Sequence, residues 1–219
     1  GNGERIDGLK FNNNICIQDD KNSNASEKYR GLGWIDFESK KCFSNLEIKN
    51  NYVSGLNGFA INGAGEVTEN VIILGNTIIR PDRNYKSAYP YMFNFYGVQI
   101  KDLIFEENDI CKGTNRFGYT SNNITIKNNK LRESIQIHGL YGDIIVEKNS
   151  MENKGCIISI ESLDIPTYIS KEERIYCNFK FINNNGGIKG KIFDEDAPGK
   201  CSYIDITIAN NKMNYMNFE

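Results

Sequence analysis

The feature of this chain that most limits its fold is an asparagine held at one fixed offset behind an alternating apolar pair. Residues 102–110 (DLIFEENDI), 123–131 (NITIKNNKL), 143–151 (DIIVEKNSM) and 205–213 (DITIANNKM) share one frame: acid or amide, apolar, any, apolar, any, any, Asn, any, apolar. The unit recurs eight times, with apolar starts at Leu9, Leu46, Val71, Leu103, Ile124, Ile144, Phe179 and Ile206. Five residues after each start stands Asn14, Asn51, Asn76, Asn108, Asn129, Asn149, Asn184 or Asn211. The residue two after the start is always apolar, and the residue seven after it is apolar except at Gly186. The residue before the start is Asn or Asp except at Gly8. About one residue in seven is Asn, so agreement at all eight positions is no by-product of composition.

Successive asparagines of this set lie 37, 25, 32, 21, 20, 35 and 27 residues apart. A floor near 20 with variable excess describes a fixed turn of chain plus loops inserted at permitted places, and no helix or blade signature of other repeat classes is present. Alternation with period two puts Ile124 and Ile126 on one face and Thr125 and Lys127 on the other. If each repeat is one rung, rungs lie about 4.8 Å apart and like residues stack on like. The apolar positions then form an interior column. The asparagine is expected to mark a tight bend, because Asn tolerates the left-handed backbone region, and its amide to bond to the amides above and below. Between most of these asparagines lies a second alternating strand: GWIDFES (33–39), GFAING (58–63), YMFNFYG (91–97), RFGYTS (116–121), SIQIHG (134–139) and CIISIES (156–162). No amphipathic helix pattern interrupts them. The expectation is an all-β chain with two or three strands per rung, residues 1–219 forming one domain that is itself complete or a segment of a longer chain.

These Asn-Φ-x-Φ-x-Asn-Asn strings, with glycine-ended strands between them, resemble the right-handed parallel β-helix of the pectate-lyase-like superfamily. The resemblance runs from about Leu9 to Met213 and is specific for fold rather than chemistry. It implies a single right-handed parallel β-helix, a solenoid of about eight rungs with an asparagine ladder, and it agrees with the general right-handed bias of parallel connections. It also implies an extracellular or cell-surface location and a polysaccharide partner. Neither end of the chain carries an amphipathic capping helix, so a flanking domain or an oligomer is expected to cover the solenoid ends.

The formal net charge of -2 gives no electrostatic reason to expect nucleic acid. No apolar run approaches the roughly 20 residues that cross a bilayer, so no membrane insertion is expected. The six cysteines, Cys16, Cys42, Cys111, Cys156, Cys177 and Cys201, form no CxxC and no zinc-ligand spacing with histidine. They read as small buried hydrophobes, with one or two disulfides as the alternative. Four insertions, at roughly 18–32, 80–90, 162–177 and 194–203, are expected to wall a groove. The run DED at 194–196 reads as a solvated turn rather than a calcium loop.

Stacked in register, the second strands would present two outward columns: Asp36, Ala60, Asn94, Gly118, Gln136, Ser159, and Glu38, Asn62, Tyr96, Thr120, His138, Glu161. A slip of two residues at RFGYTS is the alternative register. Asp36 and Glu38 would lie about 6.5–7 Å apart along their strand, at the low end of the roughly 6.5–9.5 Å of an inverting glycosidase pair. They would equally suit a hard cation, calcium being the one cofactor considered. His138, the only histidine, is expected one rung from Glu161, a base and its orienter about 5 Å apart. The catalytic candidates are therefore Asp36, Glu38, His138 and Glu161. Arg80 and Arg83 in the second insertion, Tyr96, and Arg116 at the mouth of its strand are the candidates for binding substrate, and Arg116 would also serve as the base of an eliminase. The expected function is binding, and in its catalytic form cleavage by β-elimination or glycoside hydrolysis, of an extended acidic polysaccharide. A non-catalytic surface, adhesion or phage-tail type module is the alternative, and no complete lyase or polygalacturonase motif is present.

Overall fold

The computed structural model describes residues 5–17, 33–38, 42–54, 57–62, 67–79, 91–111, 113–121, 123–138, 140–152, 155–161, 176–190, 203–213 and 216–218; at 33–38, 57–62, 91, 96–97, 119–121, 138, 140–141, 161, 203–204 and 218 it describes the backbone alone. Every regular element among these is a strand, and the strands pair in parallel. The chain is all-β, as the alternation predicts, and among the described residues no helix is long and apolar enough to cross a membrane.

One repeat shows the plan. Ile124–Lys127 carries the Φ-x-Φ signature, Lys130–Leu131 follows the asparagine, and Ile135–His138 is the second strand. Each pairs with its counterpart in the next repeat: Ile124 with Ile144, Lys130 with Ser150, Ile135 with Ile158. The short strands behind the asparagines, from Ile15–Ile17 to Ser150–Met151, form a separate six-stranded sheet. The signature strands and the second strands share a 16-stranded sheet. Two second strands escape the sequence pattern, Gly187–Gly190 and Met216–Phe218, and they extend that series past Cys156–Glu161. The insertions at 18–32 and 80–90 lie outside the described residues, as do the other two apart from their last residues, which already belong to the strands Tyr176–Ile182 and Tyr203–Ala209.

All eight predicted asparagines stack. The backbone N–H and the side-chain Nδ2 of each donate to Oδ1 of the next, from Asn14 through Asn51, Asn76, Asn108, Asn129, Asn149 and Asn184 to Asn211, at 2.7–3.1 Å. Each Nδ2 from Asn51 onward also donates back to a carbonyl of the preceding repeat, as Asn129 does to Phe105. The six central amides are buried and make every hydrogen bond an amide side chain can make.

The bend falls one residue earlier than the sequence reading places it. Asn13, Asn50, Gly75, Glu107, Asn128, Lys148, Asn183 and Asn210 take positive φ, and the ladder residues do not. A ladder asparagine must direct its amide along the stack, so the preceding residue turns the chain. Asn fills five of these places because its left-handed conformation costs little. A second left-handed bend explains the Asn or Asp before the apolar start: Gly8, Asn45, Asn70, Asp102 and Asn123 all have positive φ. Gly8, the exception in sequence, is no exception in conformation. The counterparts Asp143, Asn178 and Asp205 do not share it, and there Asn178 instead donates to Asp143.

The apolar columns are buried in the central repeats and partly buried in the first and last, at Leu9, Phe11, Ile206 and Ile208, with Phe93, Phe105 and Phe117 packed edge to face at 5.8 and 5.3 Å between centroids. Gly186 breaks the apolar pattern because a Cβ there would meet Ile157 Cγ1 at 2.8 Å and Met151 Cβ at 2.9 Å; Ile157 fills the place its side chain would take. None of the five described cysteines forms a disulfide, and Cys42 and Cys177 are buried in the manner of small hydrophobes.

Replacing Asn129 by Ala strands donors on Asn108 and the Phe105 carbonyl, and should cost about 3 kcal/mol or more. The same change at exposed Asn14 should cost less than about 1 kcal/mol; equal urea midpoints for the two variants would contradict the ladder's role. A second expectation concerns acid. The Glu47 carboxyl is held down to about 2 from its usual 4.5 by hydrogen bonds from Lys49 and then Lys10, and Glu147 and Glu152 are also lowered by basic neighbours. These lowered values stabilise the folded chain above pH 4.5 and the benefit is lost as pH falls toward 2. Melting temperature should fall across that window, less steeply at high salt and in Glu47→Gln.

Candidate functional site

The outward face of the second strands is set by alternation. Phe93, Phe95, Phe117, Ile135, Ile137, Ile158 and Ile160 point inward and are buried, so the residues between them face out. On the strands with described side chains these are, in register, Asn94, Arg116, Gln136, Ser159, Lys189 and Asn217, and the backbones of Asp36 and Ala60 continue the same register. Arg116 stands where the straightforward alignment puts Gly118, which is the two-residue slip at RFGYTS. The pairing with the long strand Tyr91–Glu106 shifts register between Tyr91 and Asn94 and again, at an irregularity, between Phe95 and Gln99. Gly118 is pressed against that irregularity: a Cβ would lie 2.2 Å from the Val98 carbonyl oxygen and 2.7 Å from that of Phe95.

The slip has two effects. It brings Arg116 between Asn94 and Gln136, and it breaks the other proposed column, because Thr120 pairs with Ile100 and Leu140 rather than lying between Tyr96 and His138. Glu38, Asn62 and Tyr96 remain in register on one side, and His138 with Glu161 on the other. His138 and Glu161 are direct backbone partners, as the spacing predicts. Asp36 and Glu38 lie two residues apart on Gly33–Glu38, four strand steps or about 19 Å along the stack from Gln136 and His138. The register therefore places the candidates as two separate pairs. The side chains of Asp36, Glu38, Tyr96, His138 and Glu161 lie outside the described residues, as do Arg80, Arg83 and the DED run.

Around Arg116 the polar chemistry is defined. Asn94, Arg116 and Gln136 are half-buried and Ser159 is 3% exposed. Asn94 Oδ1 and Gln136 Oε1 are buried without a hydrogen-bond partner, one on each side of the arginine. Two unpartnered buried acceptors on one outward column are costly unless a donor reaches them. Lys189, between Ser159 and Asn217 in the column, is exposed, and burial pushes the neighbouring Cys156 thiol up against the opposing effect of its charge. Lys189 escapes the sequence reading because its strand holds a single apolar residue, Ile188, and so shows no alternation; the glycines that end GIKG were the available signal. Asn115 faces the opposite way, fully buried in the interior with both amide atoms unpartnered. Among the described residues no three His, Cys, Asp or Glu side chains are grouped to hold a metal ion.

Gly118→Ala tests the register that places Arg116. The added methyl meets backbone carbonyls that cannot rotate away, so a loss of about 3 kcal/mol or more in urea titration is expected. A neutral outcome would refute this packing. Comparison with known proteins yields no match to a family model, to a curated protein or to a solved structure.

Proposed function

We propose that the outward column of the second strands binds an extended acidic polysaccharide, in the catalytic form cleaving it by β-elimination or glycoside hydrolysis. The reading takes the parallel stack to be wound as a single right-handed β-helix of the pectate-lyase-like kind, acting outside the cell where such polymers occur. The carrying observation is Arg116 set in register between two buried amide oxygens that lack donors. Sugar hydroxyls are the donors those oxygens lack. Arg116 and Lys189 would supply charge for uronate carboxylates, three strand steps or about 14 Å apart. A polymer lying along the stack meets one strand about every 4.8 Å, close to the length of a sugar unit.

In the catalytic form Asp36 and Glu38 would act as a carboxylate pair or hold calcium, and His138 with Glu161 as base and orienter. The two pairs lie too far apart along the stack to act on one glycosidic bond, so either would act alone; the second reading is a non-catalytic surface, adhesion or phage-tail type module.

A panel of uronate polymers tests the proposal by binding, by unsaturated-uronate absorbance and by release of reducing ends. Gln136→Leu should weaken binding about fivefold while leaving melting temperature unchanged or raised, because it removes an unpartnered buried acceptor at little change in shape. Arg116→Ala should weaken binding about tenfold or more. If the wild-type chain binds no polymer, or both variants bind as it does, the site is wrong. Binding without product selects the module, and product that survives both His138→Ala and Asp36→Ala removes those residues from the chemistry.

A further inference from the structure

Along the outward column of the second strands, charge is sparse and regularly placed. The described side chains run Asn94, Arg116, Gln136, Ser159, Lys189, Asn217, one strand step apart. Arg116 and Lys189 are three steps or about 14 Å apart. The other side chains of this series are uncharged.

The steps differ in what they accept. Asn94 Oδ1 and Gln136 Oε1 are buried and lack a donor. A carboxylate only accepts hydrogen bonds and cannot supply one, whereas a hydroxyl can. Ser159 is buried and uncharged, so a carboxylate at its step would give up water for one hydroxyl contact. Within this series Arg116 and Lys189 alone offer a carboxylate a charge-assisted bond. Their separation exceeds the Debye length of about 8 Å at physiological salt. Each cation therefore addresses its own carboxylate, and the two do not merge into one positive field.

We propose that this column selects its ligand by the spacing of acid groups: it takes a polysaccharide that turns a carboxylate toward the protein at every third sugar, with hydroxyl edges on the two units between. The inference rests on the reading of the column as a polysaccharide site with one sugar per strand step, and it adds which polymers fit. A chain with a uronate at every third unit meets the requirement directly. A uniformly acidic chain meets it when its intermediate carboxylates face solvent. A chain that turns a carboxylate inward at every second unit sets one at Arg116 and the next at Ser159, where no cation waits.

Titration calorimetry with synthetic tetrasaccharides tests this. A ligand acidic at units one and four should bind about fivefold or more tightly than one acidic at units one and three, a modest ratio because the Lys189 stem is flexible. A uniformly acidic tetrasaccharide should bind equally or more weakly than the one–four ligand, weaker binding singling out the every-third polymer. Binding more than about threefold tighter would overturn the proposal, because charge would then be counted and not spaced. Lys189→Ala combined with Asn217→Lys moves the second cation by one step, and both residues are exposed. That variant should shift the preference to units one and five of a pentasaccharide, with melting temperature confirming that it folds. Equal affinity for the one–three and one–four ligands, or a preference that does not move, would overturn the spacing while leaving a polysaccharide site in place. If neither these ligands nor any uronate polymer binds, the site itself fails and the spacing with it.

Discussion

Each central ladder amide is held by four hydrogen bonds, and every partner comes from another repeat. No repeat can satisfy its own asparagine. A buried amide short of its partners costs about 1–3 kcal/mol for each orphaned group, so one repeat alone is poor and each addition improves its neighbours. That dependence makes the rest of the structure coherent. The ladder fixes the height of successive repeats, the height fixes which residues pair, and pairing decides which side chains meet in the core and on the outer faces. A chain built this way is cooperative between nearest neighbours, in the manner of other repeat proteins.

The two polar columns of this molecule are treated very differently. Along the ladder, oxygen and nitrogen are saturated. Along the second strands, the acceptors of Asn94 and Gln136 are buried and idle, although a guanidinium stands between them in register. The first arrangement is what a fold needs to hold itself up. The second is what a surface retains when part of its hydrogen bonding is supplied from outside. Asn115, one residue from Arg116 but facing inward, leaves both amide atoms unpartnered, so among the described residues the unmet hydrogen bonding concentrates around this stretch.

Sequence shows the ladder plainly, since a fixed offset behind a period-two pattern has few other solutions. It shows less well which residue bends the chain. Glu107 and Lys148 take the left-handed conformation with side chains that do not announce it, because the geometry of the corner overrides their preference. Asp143, Asn178 and Asp205 look like Asn45 and Asn70 in sequence yet do not adopt the second bend. The placement of Arg116 stayed open for a related reason. The sequence allows two registers at RFGYTS, and the choice between them rests on register shifts inside a 16-residue strand, where Gly118 meets the Val98 and Phe95 carbonyls. The pairing of His138 with Glu161 follows from spacing alone and was legible. Local pattern carries register well where repeats are regular, and loses it where one strand is longer than its neighbours.

The direction of the ladder bonds carries a consequence of its own. Every amide-to-amide bond of the ladder runs the same way, hydrogen toward the higher-numbered repeat and oxygen toward the lower. Backbone dipoles in a sheet largely cancel, but these side-chain dipoles add, as peptide dipoles do along an α-helix. The stack is thus an electret, with its positive pole on the Asn211 side and its negative pole on the Asn14 side, and chained hydrogen bonds strengthen one another in that sense. An ion approaching along the axis would feel opposite fields at the two poles of a molecule whose net charge is close to zero.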